Sequence, residues 1–362
     1  MMSKKLKICY VGWGDSIHLQ RWASFFVDGG HDVYLITNRA SNMPGIKEIE
    51  VSDQKQLLPR FLIVRNIIRG IKPDILHLHT LLYPAYLGVF SGFCPMIVTP
   101  WNGDIVWKAQ WSLIRKIAVL RGLRNADLIT VDSEELKQKT LHYGKYENKI
   151  HFVSFGVDTK LFRPNGGSGN LRKELNIDEN APIVFSGRSL EKIYNIEIIL
   201  SAVPLVLREI PDAVFVFCWH SDSMKDELLA AAVAMGIFDN VRFAGKVKEH
   251  KDLINYYAQA EAFISVPSCD TIPVSLLEAM ACGTAPIISD LPSPKECITD
   301  GKNGCVVPVR DVNATAKAIV RVLKNNKIRN AFARFNLEFV KKKYDWVANM
   351  KKMENLYHRC RK

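Results

Sequence analysis

The chain has 362 residues, enough for two domains of ordinary size, and its 48% hydrophobic and 24% charged residues exclude wholesale disorder. The formal net charge of +12 is uneven, because residues 1–160 carry 21 basic and 14 acidic side chains, residues 161–300 carry 12 and 19, and residues 301–362 carry 16 and 4. A basic first part followed by an acidic middle part suits an anionic ligand or surface approached from one side.

The cysteine pattern and the lengths of the apolar runs indicate the cellular compartment and the kind of membrane contact to expect. Eight cysteines are scattered without a Cys-x-x-Cys pair or zinc-finger spacing, which indicates reduced thiols in the cytoplasm. The apolar run at the N-terminus is too short for a signal peptide, so secretion is not expected. No apolar stretch reaches the roughly 18 residues of a membrane-crossing helix, so we expect any contact with the inner face of a membrane to be peripheral.

Strand and helix patterns alternate over the first 160 residues. The apolar run Ile8–Val11 ends in glycine, His18–Val27 has helical spacing, and Val33–Ile36 is again a strand pattern. Further strand patterns follow at residues 73–79, 96–99 and 126–131, with helical stretches between them. Such alternation predicts a parallel sheet with helices on both faces.

A flexible run, Arg163–Asn170, separates this series from a second one. Six more strand patterns lie at residues 182–185, 213–218, 241–244, 262–266, 285–288 and 304–307. The last residues have helical spacing and are rich in lysine. We therefore predict an α/β protein with domains at residues 1–164 and 165–340 and a C-terminal helix at residues 341–362.

A loop and a short helix in the second domain carry the strongest chemical signal. Pro273 suits the first turn of this helix, and Gly283 fits just past its end. Ligands of parallel sheets bind beyond the carboxyl ends of the strands, and a helix N-terminus there favours an anion such as a diphosphate. The residues expected to line this site are Thr271, Ile272, Pro273 and Val274. Taken alone, such a junction is more often an ordinary helix cap, in which Glu278 makes a structural hydrogen bond.

The residues around this helix form a longer pattern. Asp270 and Glu278 have the spacing D-x7-E, and Ala-Met-Ala-Cys-Gly, Pro286, Glu296 and the run Asp300–Gly304 follow. This pattern resembles the E-x7-E signature of family 4 retaining glycosyltransferases, and the resemblance covers nearly the whole chain. It implies the GT-B fold, in which two Rossmann-like, doubly wound domains face each other across a cleft and a C-terminal helix returns to the first domain.

The resemblance also implies roles for single residues. Glu278 would hold the ribose hydroxyls of a nucleotide sugar. Asp270, one methylene shorter than the usual Glu, would contact the transferred sugar and leaves the identity of that sugar open. Gly187 and Arg188 would bind the donor diphosphate, a role that suits a bidentate guanidinium. We expect Lys192 to assist Arg188 in catalysis, although most lysines are simply solvated.

In the first domain, the resemblance implies a glycine-rich loop that lets the backbone approach the donor. The loop contains Gly12, Trp13 and Gly14. His79 ends a predicted strand and His18 lies on the first helix, both at the edge of the sheet where a cleft would form. Either imidazole could titrate near neutral pH, and we expect His79 to be catalytic and His18 to contact the acceptor.

A second loop of the first domain, Pro100–Asp104, resembles the H-G-x-D or W-G-x-D loop of the family. Asn102 stands where many members have a histidine that contacts the sugar or the acceptor. The resemblance therefore assigns acceptor binding to Asn102, Gly103 and Asp104.

The resemblance implies transfer of a hexose-type sugar from a UDP- or GDP-linked donor to a hydroxyl of a glycan, lipid-linked or small-molecule acceptor. Cationic groups would stabilise the leaving diphosphate and no Asp-x-Asp motif is present, so neither a metal nor another cofactor is expected. Two alternatives stay open: a non-catalytic scaffold that binds sugar nucleotides, suggested by Asp270 and Asn102, and a GT-B phosphorylase or epimerase. We expect no nucleic-acid partner, because no known binding motif accompanies the positive charge.

A basic and aromatic segment at residues 107–124 is preceded by Arg60, Arg65 and Arg69 in another helix-like stretch. One interpretation is a patch that contacts anionic lipid and presents a lipid-linked or growing glycan acceptor. Two solvated helix faces with core tryptophans explain the same pattern equally well.

Overall fold

A computed structural model describes residues 4–41, 43–51, 57–105, 112–167, 169–247 and 249–361. The chain divides into two compact units, and each contains one parallel β-sheet. Unit 1 comprises residues 1–155 and 347–362, and unit 2 comprises residues 156–346. No helix in the part of the chain that the structure describes is both long and apolar enough to span a membrane.

Unit 1 alternates strands and helices along most of its length. Its elements are β1 (Lys7–Val11), α1 (Ile17–Asp28), β2 (Asp32–Thr37), β3 (Lys47–Glu50), α2 (Leu57–Ile71), β4 (Ile75–His79), α3 (Ala85–Val89), β5 (Met96–Thr99), α4 (Asn102–Ile105), α5 (Leu113–Asn125), β6 (Leu128–Val131), α6 (Glu134–Leu141) and β7 (Ile150–Phe152). The sheet has the strand order β3-β2-β1-β4-β5-β6-β7, and all pairings are parallel. β4 is buried along its whole length, as expected for a central strand covered on both faces.

The first helix shows how local sequence builds this unit. Leu19, Trp22, Ala23 and Phe26 repeat at helical spacing, and all four are buried. Gly29 ends the helix by donating its backbone N–H to the carbonyl of Phe25. The apolar face of α1 therefore belongs to the core of unit 1.

Unit 2 repeats the same plan. Its elements are α7 (Leu171–Glu174), β8 (Ile183–Ser186), α8 (Ile196–Leu207), β9 (Val214–Trp219), α9 (Lys225–Ala234), β10 (Val241–Lys246), α10 (Leu253–Gln259), β11 (Ala262–Ser265), α11 (Val274–Cys282), β12 (Ala285–Ser289), α12 (Pro292–Lys295), β13 (Cys305–Val307), α13 (Val312–Lys324) and α14 (Asn326–Lys343). The strand order is β10-β9-β8-β11-β12-β13, again with parallel pairing throughout. A final helix, α15 (Trp346–Cys360), follows.

Each sheet has a point at which the strand order reverses. In unit 1 this point lies between β1 and β4, and in unit 2 it lies between β8 and β11. The connections after the two central strands leave toward opposite sides there and open a crevice at the carboxyl ends of the strands. Gly12 follows β1 and His79 ends β4, while Arg188 follows β8 and Asp270 follows β11. These four predicted site residues thus lie at the two switch points, whereas Asn102, Gly103 and Asp104 follow β5.

The boundary between the units differs from the predicted one. Residues 156–164, assigned from the sequence to the first domain, belong to unit 2. Val157 pairs with Asp345 in a parallel bridge, with backbone hydrogen bonds to Tyr344 and from Trp346. Gly156 has a φ of 58°, and a Cβ there would lie 2.7 Å from the carbonyl oxygen of Tyr344. This close backbone contact, rather than the flexible composition of the linker, sets the boundary.

The predicted terminal helix at residues 341–362 corresponds mainly to α15, while residues 341–343 are the end of α14. α14 ends at Lys343, and α15 begins at Trp346. α15 packs in unit 1 through Tyr357, which is completely buried. The Tyr357 hydroxyl lies 2.6 Å from Nδ1 of His77 and 3.1 Å from the Tyr10 hydroxyl.

Candidate functional site

The switch point of unit 2 holds a buried ion pair. Arg188 Nη2 donates to Asp270 Oδ2 over 2.7 Å, and Arg188 Nη1 donates to Ser275 Oγ over 3.0 Å. The side chains of Arg188 and Asp270 are only 11% and 17% exposed. Arg188 therefore connects the loop after β11 to the first turn of α11.

Burial also changes the electrostatics of this pair. Desolvation raises the pKa of Asp270, while the Arg188 guanidinium and the backbone N–H of Thr271 oppose that shift by stabilising the carboxylate. The Thr271 N–H donates to Asp270 Oδ1 over 3.0 Å. Both carboxylate oxygens of Asp270 thus have protein donors.

Lys192, predicted to assist Arg188, begins a short 3-10 turn that runs to Tyr194, and its side chain is exposed. The aromatic residue of this turn is the one that contacts the arginine. The Arg188 guanidinium lies 4.4 Å from the centre of the Tyr194 ring, a cation–π contact. The role of Tyr194 could not be read from the sequence, because no spacing rule links an aromatic side chain to an arginine six residues earlier.

Asn195 holds the loops after β8 and β11 together. It is completely buried, with a φ of 52°, a left-handed conformation that Asn tolerates better than most residues. Its Nδ2 donates to the carbonyl of Val266 and to the hydroxyl of Ser268, and its Oδ1 accepts from Arg310. Sequence analysis did not identify this role of Asn195. The signal that could have indicated it is an asparagine immediately before a helix.

The start of α11 is close to the predicted one. Pro273 is the N-cap residue with extended backbone, one position before the helix, rather than part of the first turn. Gly283 caps the C-terminus with a φ of 79°, as its position in the sequence predicts. Thr271 and Ile272 lie in the loop that leads to this cap, and Val274 is the first helical residue. The positive end of the helix therefore lies beside the ion pair.

Glu278 is 1% exposed, and both of its carboxylate oxygens accept hydrogen bonds. The Tyr257 hydroxyl donates to Oε2 over 3.0 Å, and His250 Nε2 lies 2.5 Å from Oε1. Burial, and then the Glu278 carboxylate, hold the pKa of Tyr257 well above its usual range, so this phenol remains a donor. Sequence analysis identified Glu278 and missed both of its partners.

The predicted residues Arg188 and Glu278 meet at one helix. Ser275, which Arg188 contacts, precedes Glu278 by three residues and lies on the same face of α11. Tyr257 connects the two groups, because its hydroxyl donates to Glu278 and, against the larger effect of burial, the charge of Arg188 lowers its pKa. Gly187, next to Arg188 in the chain, lies beside it, since a Cβ there would be 3.7 Å from the Tyr257 hydroxyl. The structure therefore brings Gly187, Arg188, Asp270 and Glu278 together around the start of α11.

In unit 1, the loop after β1 depends on its two glycines. A Cβ at Gly12 would lie 3.1 Å from the carbonyl oxygen of His79, and a Cβ at Gly14 would lie 2.2 Å from that of Arg39. Trp13, between them, is half-buried, and the Arg39 guanidinium lies 5.3 Å from its ring centre. At Gly14 the backbone comes closer to its neighbour than a side chain allows, and at Gly12 a side chain would make a tight contact.

His79 and His18 belong to an aromatic cluster, and the structure does not support a titrating His79. The His79 ring lies 5.0 Å from Trp22 and is 1% exposed, and His18 lies 4.8 Å from Phe155. Burial, with smaller contributions from His77 and His18, holds the pKa of His79 well below its usual range. An imidazole that stays neutral in an apolar environment is suited to packing rather than to proton transfer at neutral pH.

Asp104 is completely buried, and its carboxylate contacts the loops that follow β4 and β5. It accepts from the Thr80 hydroxyl over 2.7 Å and from the backbone N–H groups of Leu81 and Trp101 over 2.8 and 2.7 Å. Thr80 has a φ of 100°, an uncommon conformation for a β-branched residue. Asp104 thus supports the ends of β4 and β5 instead of presenting a free carboxylate to an acceptor.

The other predicted acceptor contacts are described only in part. The Gly103 carbonyl accepts from Arg115 Nη2 over 2.9 Å, and a Cβ at Gly103 would meet no atom within 4 Å. Asn102 begins α4, and its side chain lies outside the described part of the structure. Residues 107–111 of the predicted basic and aromatic patch also lie outside the described residues.

Comparison with known sequence families agrees with this geometry. Residues 168–338 match the family described as glycosyl transferases group 1, and residues 7–133 match the family described as glycosyl transferase 4-like. The two matches fall on units 2 and 1 and include both switch points.

Curated relatives are similar over part of their length. A D-inositol 3-phosphate glycosyltransferase of Corynebacterium urealyticum is 26% identical over 254 residues, which cover 67% of this chain and 59% of the relative. A phosphatidyl-myo-inositol mannosyltransferase of Mycolicibacterium smegmatis is 29% identical over 171 residues, which cover 46% of this chain and 42% of the relative. The aligned regions thus span about half of these relatives.

Solved structures share the fold over nearly the whole chain. Sucrose-phosphate synthase from Thermosynechococcus elongatus has a TM-score of 0.81 at 20% identity and covers 97% of this chain and 98% of its own. HepE of Anabaena, solved with UDP-glucose, has a TM-score of 0.84 at 16% identity and covers 98% of this chain and 100% of its own. With both units matched by glycosyltransferase families and the GT-B architecture shared along its length, the chain belongs to the group 1, GT4-type glycosyltransferases.

Proposed function

We propose that this protein transfers a hexose-type sugar from a nucleotide-diphosphate sugar to an acceptor hydroxyl, with retention of anomeric configuration and without a metal. The observation that carries this proposal is the arrangement of Arg188, Asp270 and Glu278 around the N-terminus of α11. It combines a cation and a helix N-terminus, which suit a diphosphate, with a buried carboxylate that suits a pair of hydroxyls.

The leaving diphosphate would be bound by Arg188, by Lys192 and by the backbone at the start of α11. A guanidinium has five N–H donors, and the contacts with Asp270 and Ser275 use only part of them. The Arg188–Asp270 pair has no net charge, so the dipole of α11 and the exposed Lys192 would supply the remaining positive potential. Groups fixed in this way stabilise charge as it develops on the leaving oxygen, without reorganisation.

The chemical step breaks the bond between the anomeric carbon and the diphosphate oxygen and forms a bond from that carbon to the acceptor oxygen. The proton of the acceptor hydroxyl passes to an oxygen of the departing diphosphate. Asp270 would hold hydroxyls of the transferred sugar. Because the departing diphosphate takes the proton, this scheme needs no protein imidazole as the base, in keeping with the burial of His79.

The relatives suggest the probes for a test. Two of them are named as a glycosyltransferase and a mannosyltransferase acting on inositol-containing acceptors, and the HepE structure holds UDP-glucose. A thermal-shift panel of UDP- and GDP-linked sugars should show a rise in melting temperature with one base, because a ligand that binds only the folded protein stabilises it. Release of UDP or GDP with an acceptor panel then tests transfer.

The same panel separates transfer from the alternatives. A binding scaffold would be stabilised by a sugar nucleotide without releasing the nucleotide. A phosphorylase would require inorganic phosphate, and an epimerase would change the donor without any acceptor. No stabilisation by any UDP- or GDP-linked sugar would contradict the proposed function itself.

We further propose that α5 brings unit 1 to an anionic lipid surface on which the acceptor is presented. Four apolar side chains of α5 are exposed, most of all Leu113 at 73%; the others are Ile114, Ile117 and Leu120. Lys116, Arg121 and Arg124 are also exposed, and α5 has no acidic residue. Apolar and basic side chains on one exposed helix are typical of interfacial binding.

Liposome flotation tests this surface. Binding to vesicles that contain anionic phosphatidylglycerol should exceed binding to pure phosphatidylcholine, and it should fall with salt and in a Leu113→Gln, Ile117→Gln variant. Equal binding to both kinds of vesicle, or no loss in the variant, would show that α5 is a solvated helix.

A further inference from the structure

The carboxylate of Glu278 is already held by two side chains from a neighbouring segment of unit 2. Tyr257 donates to Oε2 and His250 contacts Oε1. A carboxylate has about four acceptor positions, two on each oxygen. Among the residues that the structure describes, these two contacts occupy one position on each oxygen and leave one free on each. Two free positions on adjacent oxygens match the two neighbouring hydroxyls of a ribose.

His250 is fixed in place by its own turn. It begins a 3-10 turn, His250–Asp252, which a reciprocal pair of hydrogen bonds between Glu249 and Asp252 caps. The Phe162 ring lies 5.3 Å from the imidazole centre. The imidazole is therefore oriented by protein contacts before any ligand binds.

The two partners of Glu278 differ in what else they support. Tyr257 is 1% exposed and packs against the Phe185 and Phe263 rings at 5.1 and 5.8 Å, so its loss would disturb the core. The His250 side chain is 22% exposed, and its Nε2 contacts Glu278. His250 is thus the partner that can be replaced without opening a cavity in the core.

We propose that His250 is a positioning residue for nucleotide binding: its Nε2 holds Glu278 Oε1 so that the carboxylate accepts both ribose hydroxyls of the donor. This assignment rests on the proposed function, because it takes Glu278 as the ribose contact. Without His250, the carboxylate could rotate about its last torsion, and one of its hydrogen bonds to the ribose would be lost.

Two replacements of His250 distinguish this role from a structural one. His250→Ala removes the donor, while His250→Gln keeps an N–H donor on a flexible side chain. Isothermal titration calorimetry with UDP and GDP, and with their 2′,3′-dideoxy analogues, measures the ribose contribution directly. His142→Ala, at an exposed histidine of unit 1, is the matched control.

The expected result is a loss of about tenfold in affinity for the ribonucleotide in His250→Ala, with most of it recovered in His250→Gln. The dideoxy analogue should bind equally to wild type and both variants, because it has no hydroxyls for Glu278 to accept. An equal loss for both nucleotides, or no loss for the ribonucleotide, overturns the assignment. Wild-type protein that binds neither UDP nor GDP overturns the proposed function instead.

Discussion

Arg188 and Asp270 form an ion pair across the switch point of unit 2, with 2.7 Å between guanidinium nitrogen and carboxylate oxygen. Each partner follows a different central strand, Arg188 after β8 and Asp270 after β11. The pair therefore joins the two loops that the reversal of strand order separates. Because both side chains are largely buried, removing one partner would leave the other with an uncompensated charge.

Replacing Arg188 tests the cationic part of the site. Arg188→Ala should weaken nucleotide-sugar binding about 100-fold, because it removes a charged donor to the diphosphate and leaves Asp270 to repel it. Arg188→Lys should recover only part of this affinity, since an ammonium cannot bridge Asp270, Ser275 and a phosphate as a planar guanidinium does. Calorimetric titration with the donor that stabilises the wild type measures the donor affinity of both variants.

The matched control for this experiment is Arg334→Ala. Arg334 is an exposed arginine on α14 of the same unit, so its replacement changes the net charge equally. Donor affinity should be unchanged there, and also in Lys342→Ala. A comparable loss in Arg334→Ala would mean that the overall charge, rather than the position of Arg188, determines binding.

Replacing Asp270 separates binding from turnover. Asp270→Asn removes the counter-charge of Arg188, so affinity for the free nucleoside diphosphate should stay the same or rise. Turnover should fall about 100-fold, because the carboxylate that holds the sugar hydroxyls in the transition state is gone. Parallel titration calorimetry and nucleotide-release assays give the two values. A loss of diphosphate affinity equal to the loss of turnover would show that Asp270 serves only to position Arg188.

The caps of α11 show what local sequence can decide. Pro273 restricts its own backbone torsion and Gly283 adopts a left-handed one, so the helix was expected to begin at Pro273 and end before Gly283; it begins one residue later and ends as expected. The alternation of strands and helices likewise predicted both parallel sheets, and parallel connections place strand ends at one edge. These local rules place the loops of Arg188 and Asp270 at one edge of the sheet, whereas the choice of Arg188 as a site residue came from the family resemblance.

The partners of Glu278 show which contacts local sequence rules cannot predict. His250 lies 28 residues before Glu278 in the chain, and it reaches the carboxylate only because the segment that begins α10 packs beside α11. No periodic pattern marks that contact. The buried state of His79 was missed for a related reason: its position at a strand end was correct, but the rings of Trp22 and Phe155 that surround it come from distant segments.

Gly14 tests the loop after β1. A Cβ at Gly14 would lie 2.2 Å from the Arg39 carbonyl oxygen, so Gly14→Ala must move backbone and should lower the free energy of unfolding by about 2 kcal/mol or more. Gly70→Ala is the control, because a Cβ there meets no atom within 4 Å and the residue lies in α2. That change should be neutral or stabilising by up to about 1 kcal/mol. Urea unfolding followed by tryptophan fluorescence compares the two.

His77 should make unit 1 sensitive to acid. Burial lowers the pKa of His77 to about 3, whereas the unfolded chain has the ordinary value of 6.5. The neutral imidazole therefore contributes full stability above pH 6.5, and this contribution is lost as the pH falls toward 3, because the unfolded state binds the extra proton first. From this residue alone, the free energy of unfolding should be about 2 kcal/mol lower at pH 5 than at pH 7.5. A His77→Gln variant should lack that part of the pH dependence, and an unchanged pH profile would contradict it.

Tyr357 tests how α15 is attached to unit 1. Its hydroxyl lies within hydrogen-bonding distance of Tyr10, His77 and Trp22, so Tyr357→Phe would leave three buried polar groups without that partner. Each unsatisfied group is costly while the ring volume is conserved, so the free energy of unfolding should fall by about 2–3 kcal/mol without a cavity. Tyr34→Phe, at a partly exposed hydroxyl near Lys47, should change it by less than about 0.5 kcal/mol. Equal effects in the two variants, measured by urea unfolding, would show that apolar packing alone holds α15.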